Sequence, residues 1–278
     1  MNTINIVQKI YKTFSEKIHK GKIPIFLKPP SLIGTVQDDP FDCWIGDEIK
    51  KDNPSLEVFH AGKLTTPDIV LRHKPSNAIL GIEVKKLIQK ASGKDPRGLT
   101  LDYNSCLPCG KSLIKIGSDT VEIPCFYLFA LLSEDSTSIV TSIIMDGDFL
   151  NYDFELHKEA KYANKSEYKH GPYGEGSVRH RRMYTYPNPL NYKLAFFHLR
   201  HILVIKKHDL TNFTNTPPCT ELIVRDDKYD NSFQYVVIDK TNQSPLPLEQ
   251  LPVRHDIFRA CKDRKPKNRT ASMPQIPV

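Results

Sequence analysis

The chain has no apolar run long enough to cross a membrane, and its start, Met1-Asn2-Thr3-Ile4-Asn5-Ile6-Val7, lacks the features of a secretory leader: a basic region, an apolar block and a small-residue cleavage site. A cytoplasmic protein is expected. Cysteine is sparse: Cys43, Cys106, Cys109, Cys125, Cys219 and Cys261 are spread through 278 residues, which argues against a small disulfide-stapled scaffold and predicts reduced thiols. Cys106 and Cys109 form the one close pair, but no second pair stands at zinc-ligand spacing, and a local turn accounts for them. There is no internal repeat, heptad pattern or helix-turn-helix signature. Gly171, Gly174 and Gly176 fit neither the phosphate-loop nor the dinucleotide-binding spacing, so an ATP-binding role is set aside.

What is present is ordinary for a globular chain: 39% hydrophobic and 26% charged residues, with a length that can bury a full core as one elaborated domain. The net charge of +7 fits a polyanionic partner. Much of it is concentrated between Arg254 and Arg269, which reads either as a solvated basic tail ending in the irregular Thr270-Ala271-Ser272-Met273-Pro274 or as a DNA contact.

Ile6, Val7, Ile10, Tyr11, Phe14 and Ile18 recur at three- and four-residue spacing, predicting an amphipathic helix over Ile4 to Ile18. Pro40 opens a second helix that stops before Asn53-Pro54. Cys125 to Leu132 and Ser138 to Met145 read as core strands buried on both faces, and a helix is expected over Tyr152 to Asn164. Ile202 to Ile205, Glu221 to Val224 and Phe233 to Ile238 read as further strands or buried helix pieces, with a hairpin across Asp226 to Ser232, and Ala195 to Phe197 reads similarly. Lys85 to Asn104 loses periodicity and is expected to be a mobile basic loop. The alternation of strands and helices places the chain in the α/β class.

One segment carries chemistry. Thr66-Pro67-Asp68-Ile69-Val70-Leu71 and Gly81-Ile82-Glu83-Val84-Lys85-Lys86 flank the polar turn His73-Lys74-Pro75-Ser76-Asn77, a hairpin pattern. Strand alternation puts Glu83 and Lys85 on one face, with Ile82 and Val84 on the other, and folding the hairpin can bring Asp68 beside Glu83. Two carboxylates at a strand end make a hard oxygen site suited to magnesium, to which the Val84 carbonyl can add a ligand. A neighbouring lysine can help deprotonate or orient the attacking water and offset charge on a pentacovalent phosphorus. The competing reading is an ion-pairing surface hairpin. Against it stand Ile69, Val70, Leu71, Ile79, Leu80, Ile82 and Val84, which make this a core hairpin.

Pro67-Asp68 followed by Glu83-Val84-Lys85 resembles the signature of the PD-(D/E)XK nucleases, and the chain is similar in size and layout to type II restriction endonucleases of that superfamily. The resemblance implies an α/β fold with a mixed central β-sheet flanked by helices, magnesium-dependent hydrolysis of double-stranded DNA at a specific site, a homodimer, and a DNA methyltransferase as genetic partner. Asp68 and Glu83 match the metal-binding acids, and Lys85 the catalytic lysine. In that family a helix upstream of the hairpin often presents another acid, a place Glu48 or Asp47 can fill; a solvated charge on the helix surface is the plainer reading of either. Residues 1–165 would then form the catalytic core, and residues 166–278 a β-rich recognition elaboration and basic tail within the same compact domain.

The stretch Tyr168 to Tyr184 is basic, aromatic and glycine-containing, a composition suited to a DNA-reading loop, with Lys169, His170, Arg179, His180, Arg181 and Arg182 as contact candidates. An exposed linker is the plainer alternative. Lys86, Asn104 and Lys111, close to the hairpin in sequence, are further DNA-binding candidates. A repair nuclease or junction resolvase of the same fold, and a DNA-binding protein without catalysis, remain as other functions.

Overall fold

The computed structural model describes residues 2–19, 40–61, 65, 67–88, 100–101, 106–107, 111–150, 183–184, 201–213, 215, 219–226, 231–239, 246–257 and 273–278. Two helices come first, α1 (Thr3–His19) and α2 (Pro40–Asp52). Proline at the first position of α2 gives up an N–H that would lack a helical partner, and Asp42 in the first turn complements the positive end of the helix. At its other end Asn53 donates twice to the Ile49 carbonyl, from its backbone N–H at 3.0 Å and from its side-chain amide at 3.1 Å.

The strands follow as β1 (Leu56–His60), β2 (Ile69–His73), β3 (Ile79–Ile88), β4 (Thr100–Leu101), β5 (Cys106–Leu107), β6 (Lys111–Ile116), β7 (Asp119–Leu132), β8 (Ile139–Asp146), β9 (Met183–Tyr184), β10 (His201–Lys206), β11 (Cys219–Asp226), β12 (Ser232–Asp239), β13 (Val253–Ile257) and β14 (Gln275–Ile276). The chain is an α/β protein dominated by a mixed sheet. Its order is β1-β2-β3-β7-β8-β10-β12-β11-β13, with β6 continuing from β7 and carrying β5 and β14, while β4 and β9 pair separately. The pairs β3–β7, β8–β10 and β11–β13 are parallel and the other neighbours along the main path antiparallel.

Both described helices cover one face of this sheet. Ile6, Val7, Ile10 and Phe14 of α1 and Phe41, Ile45 and Ile49 of α2 pack on Ile82, Leu128, Ile144, Leu203 and Val236. Each fully buried side chain of this kind contributes about 1.5–3 kcal/mol relative to exposure. The Tyr11 hydroxyl fixes α1 to the sheet by donating to the carbonyls of His201 at 3.1 Å and Ile238 at 3.4 Å. The opposite face carries Tyr127, Phe129, Ile143, Met145, Val204, Tyr235 and Val237.

Several expectations change. Strand β3 runs on through Ile88, where a loop was expected from Lys85, because Lys86, Leu87 and Ile88 pair with Ala130, Leu131 and Leu132 of β7. Thr100 and Leu101 of the same expected loop pair with Tyr184 and Met183. The strands β10, β11 and β12 extend the same sheet through β8, and the β11–β12 hairpin joins Asp226 to Ser232 as expected. At the C-terminus, Met273 and Ile276 are buried and β14 lies parallel to β6, so the end of the basic tail is anchored. The helix expected over Tyr152 to Asn164 and the segment Ala195 to Phe197 lie outside the described residues.

Candidate active site

The β2–β3 hairpin closes through a turn in which Asn77 takes φ 52°, a left-handed conformation asparagine tolerates better than most residues. Its N–H donates to the His73 carbonyl at 2.8 Å, and the His73 N–H to the Ala78 carbonyl at 2.9 Å. This closure accompanies the register Ile69 opposite Ile82. One step further along, that register sets Asp68 opposite Glu83, on the face bearing Lys85.

Strand β2 begins at Ile69, so no β2 carbonyl reaches Val84. The Asp68 carboxylate takes that place: its Oδ2 accepts the Val84 N–H at 2.8 Å. In an antiparallel ladder the N–H and C=O of a hydrogen-bonded residue point to the same neighbour. The Val84 carbonyl therefore also faces the side where β2 has ended.

Glu83 is only 2% exposed, and its Oε1 accepts a hydrogen bond from Lys85 Nζ. Beside them on β7, Tyr127 is in register with Glu83 and Phe129 with Lys85, their rings stacked at 5.8 Å. Burial opposes the charged form of Lys85, but the charges of Glu83 and Asp68 and the hydrogen bond to Glu83 outweigh it, with Asp42 adding to them. The ammonium is held above the usual lysine range.

Asp42 is the residue sequence reasoning missed. It acts on Lys85 from the start of α2, whereas Glu48 forms its ion pair within the helix, with Lys51 at 3.9 Å, and Asp47 is exposed. A signal was available: Phe41, Ile45 and Ile49 define the buried stripe of α2, and Asp42 adjoins that stripe at the helix end.

Among the DNA-binding candidates, Lys86 points away from Lys85 and sets its Nζ 5.5 Å from the centre of the Phe41 ring, under α2. Lys111 opens β6 and pairs with Glu122 at 2.5 Å on an exposed surface. The structure brings neither to the Asp68–Glu83–Lys85 group through these contacts. Asn104, Lys169, His170, Arg179, His180, Arg181 and Arg182 lie outside the described residues, as does Cys109.

A second charged group stands where β8 and β10 end. Lys206 bonds to Asp148 and lies 3.7 Å from Asp146, whose Oδ1 accepts the Asp148 N–H at 2.8 Å. Burial, reinforced by Asp148 and Asp209 and opposed by Lys206, pushes the Asp146 carboxyl up to about 7. Among the described residues, no three His, Cys, Asp or Glu side chains gather as a metal-holding group, in this cluster or at the hairpin. No described helix is long and apolar enough to cross a membrane. The chain matches no known family, no curated protein and no solved structure.

Proposed function

We propose that the chain is a magnesium-dependent nuclease with a restriction-endonuclease-like core, cutting double-stranded DNA at specific sites as type II restriction enzymes do. The observation that carries this reading is the meeting of Asp68, Glu83 and Lys85 on one face of a core hairpin, with a carboxylate substituting for backbone at the end of β2. Two carboxylates and a strand carbonyl form a hard oxygen set, and magnesium needs no more than one or two protein carboxylates, so the residues fit the ion. Asp68, Glu83 and the Val84 carbonyl would hold it, and its contribution would be Lewis-acid polarisation of a phosphoryl oxygen and a lower pKa for bound water.

The chain's own groups have distinct tasks. Asp68 is oriented by the Val84 N–H. Glu83 is fixed by burial and by Lys85. Lys85, held beside Glu83 by its hydrogen bond, is placed to orient or help deprotonate the attacking water and to offset negative charge as it builds on phosphorus. Tyr127 and Phe129 limit water on the β7 side, which strengthens these interactions. Asp42 deepens the negative potential that favours a cation. Support for DNA comes from the net charge of +7 and the basic, aromatic composition of Tyr168 to Tyr184. A homodimer is part of the same reading.

The test is incubation of purified protein with plasmid and defined duplexes, with and without magnesium, alongside Glu83→Ala and Lys85→Ala. Fixed fragments that need magnesium and disappear in both variants support it. Binding without cutting across many sequences, or normal cutting by both variants, would overturn it. Random nicking would favour a repair nuclease on the same site.

A further inference from the structure

We infer that Gly81 is a positioning residue: the space over its α-carbon holds the Pro67 ring, and through that ring it sets where Asp68 presents its carboxylate. A methyl group built on Gly81 would lie 2.5 Å from Pro67 Cγ, a distance at which the ring must move, and 3.0 Å from Pro67 Cβ, where a few tenths of an ångström suffice. Ile123 Cδ1, at 3.6 Å from the same point, closes the space from β7. Pro67 is buried and follows directly from this contact into Asp68. Gly81 lacks a left-handed backbone angle of the kind seen at Gly117, so close approach is what requires glycine here.

The geometry works as a lever. Residues 79, 81, 83 and 85 alternate onto one face of β3, so Pro67 rests two residues upstream of Glu83. Proline has its φ restricted by its own ring, so seating that ring limits the directions in which Asp68 can leave it. The Asp68 carboxylate then reaches the Val84 N–H on the far side of Glu83. Residues 81 and 84 of β3 therefore grip residues 67 and 68 at two points, by van der Waals contact and by a charged hydrogen bond, with Glu83 between them. Displacing the ring moves one carboxylate relative to the other without altering either. As a statement about catalysis, this rests on the nuclease reading above; as a statement about Asp68, it does not.

A double-mutant cycle with two readouts tests it. The first is hydrogen exchange of the Val84 amide, with the ladder amide of Ile82 as internal reference, which reports the Asp68 contact without any metal, DNA or turnover. The second is magnesium-dependent cleavage, read as kcat and KM separately. Gly81→Ala should speed Val84 exchange roughly tenfold relative to Ile82, while on a Pro67→Ala background, where Cγ is gone, the same change should have an effect under about threefold. If the wild-type protein cleaves, kcat should follow the same pattern with KM little changed.

Pro67→Ala alone introduces no clash, so it keeps the test usable if Gly81→Ala fails to fold. It should loosen the Val84 amide on its own, relative to Ile82. Equal effects of Gly81→Ala in both backgrounds, or unchanged Val84 protection in both single variants, overturn the lever. Absence of cleavage by the wild-type protein overturns the nuclease reading alone, because Val84 exchange still judges the lever.

Discussion

The carboxylate of Asp68 and the backbone N–H of Val84 lie 2.8 Å apart, in the position a longer β2 would have given to a carbonyl. A side chain thereby completes the ladder and stays at the edge of the strand. Asp68→Asn keeps an acceptor for that N–H and should leave the urea midpoint nearly unchanged, while cleavage falls roughly 100-fold or more. Asp68→Ala removes the acceptor as well and should cost about 2 kcal/mol in the same unfolding measurement. Equal destabilisation by both variants would mean the hydrogen bond has no structural role.

Lys85 and Glu83 form a pair in which the carboxylate is almost fully buried. Lys85→Met strands that carboxylate and should cost about 3 kcal/mol, most of it regained when Glu83→Gln is added, because a neutral pair has no uncompensated charge. Since the folded-state lysine is raised above 10.5, its contribution is complete below that value and is lost only as pH climbs through the higher folded one. The difference between wild type and the Lys85→Met, Glu83→Gln double variant, which has no stranded carboxylate to titrate, should therefore stay constant from about pH 6 to about pH 9. Chemical denaturation across that range checks it.

Asp146 gives the opposite slope to an ordinary paired carboxylate. Its folded value of about 7 lies above its usual 3.8, so the unfolded chain loses the proton first. The stabilisation is fully present below about 4 and declines between there and 7, by up to about 1.4 kcal/mol per pH unit. Asp146→Asn keeps an acceptor for the Asp148 N–H and removes this dependence. Denaturation curves at several pH values should show a flatter profile for the variant over that window.

The C-terminal residues are tied to the hairpin strand. Arg72 Nη1 donates to the Pro277 carbonyl at 2.8 Å, and Ile276, 1% exposed, packs with Val70, Ile114 and Ile123. Ending the chain after Ser272 should cost about 4 kcal/mol or more, the sum of a buried methionine, a buried isoleucine and the lost hydrogen bonds. A thermal unfolding midpoint unaffected by the truncation would contradict the docking.

The hairpin was legible in the sequence because alternation, turn residues and the Pro-Asp and Glu-x-Lys spacings agree with one another. The helix α1 was legible from its apolar stripe, α2 from Pro40 at its start and Asn53-Pro54 beyond its end, and β7 and β8 from their nearly continuous apolar runs. Strand β1 escaped because Leu56-Glu57-Val58-Phe59-His60 is short and only partly buried. The end of β3 escaped because Lys85 and Lys86 look like the start of a loop; parallel pairing with Phe129 and Ala130 overrides that local signal. The stripe of α2 places Asp42 beside its buried face but not beside Lys85, and the role of Gly81 depends on a contact across the hairpin, for which local spacing gives no coordinates.

The Tyr11 hydroxyl reaches His201 and Ile238, 190 and 227 residues along the chain, and Arg72 reaches Pro277, 205 residues away. Closing such long loops costs entropy before any contact compensates for it, and the four parallel strand pairs among the described residues add further non-local closures. The β2–β3 hairpin, joined by a short turn, escapes that cost. Refolding should accordingly be slow, with amides of the local hairpin protected well before those of α1's partners on β10 and β12.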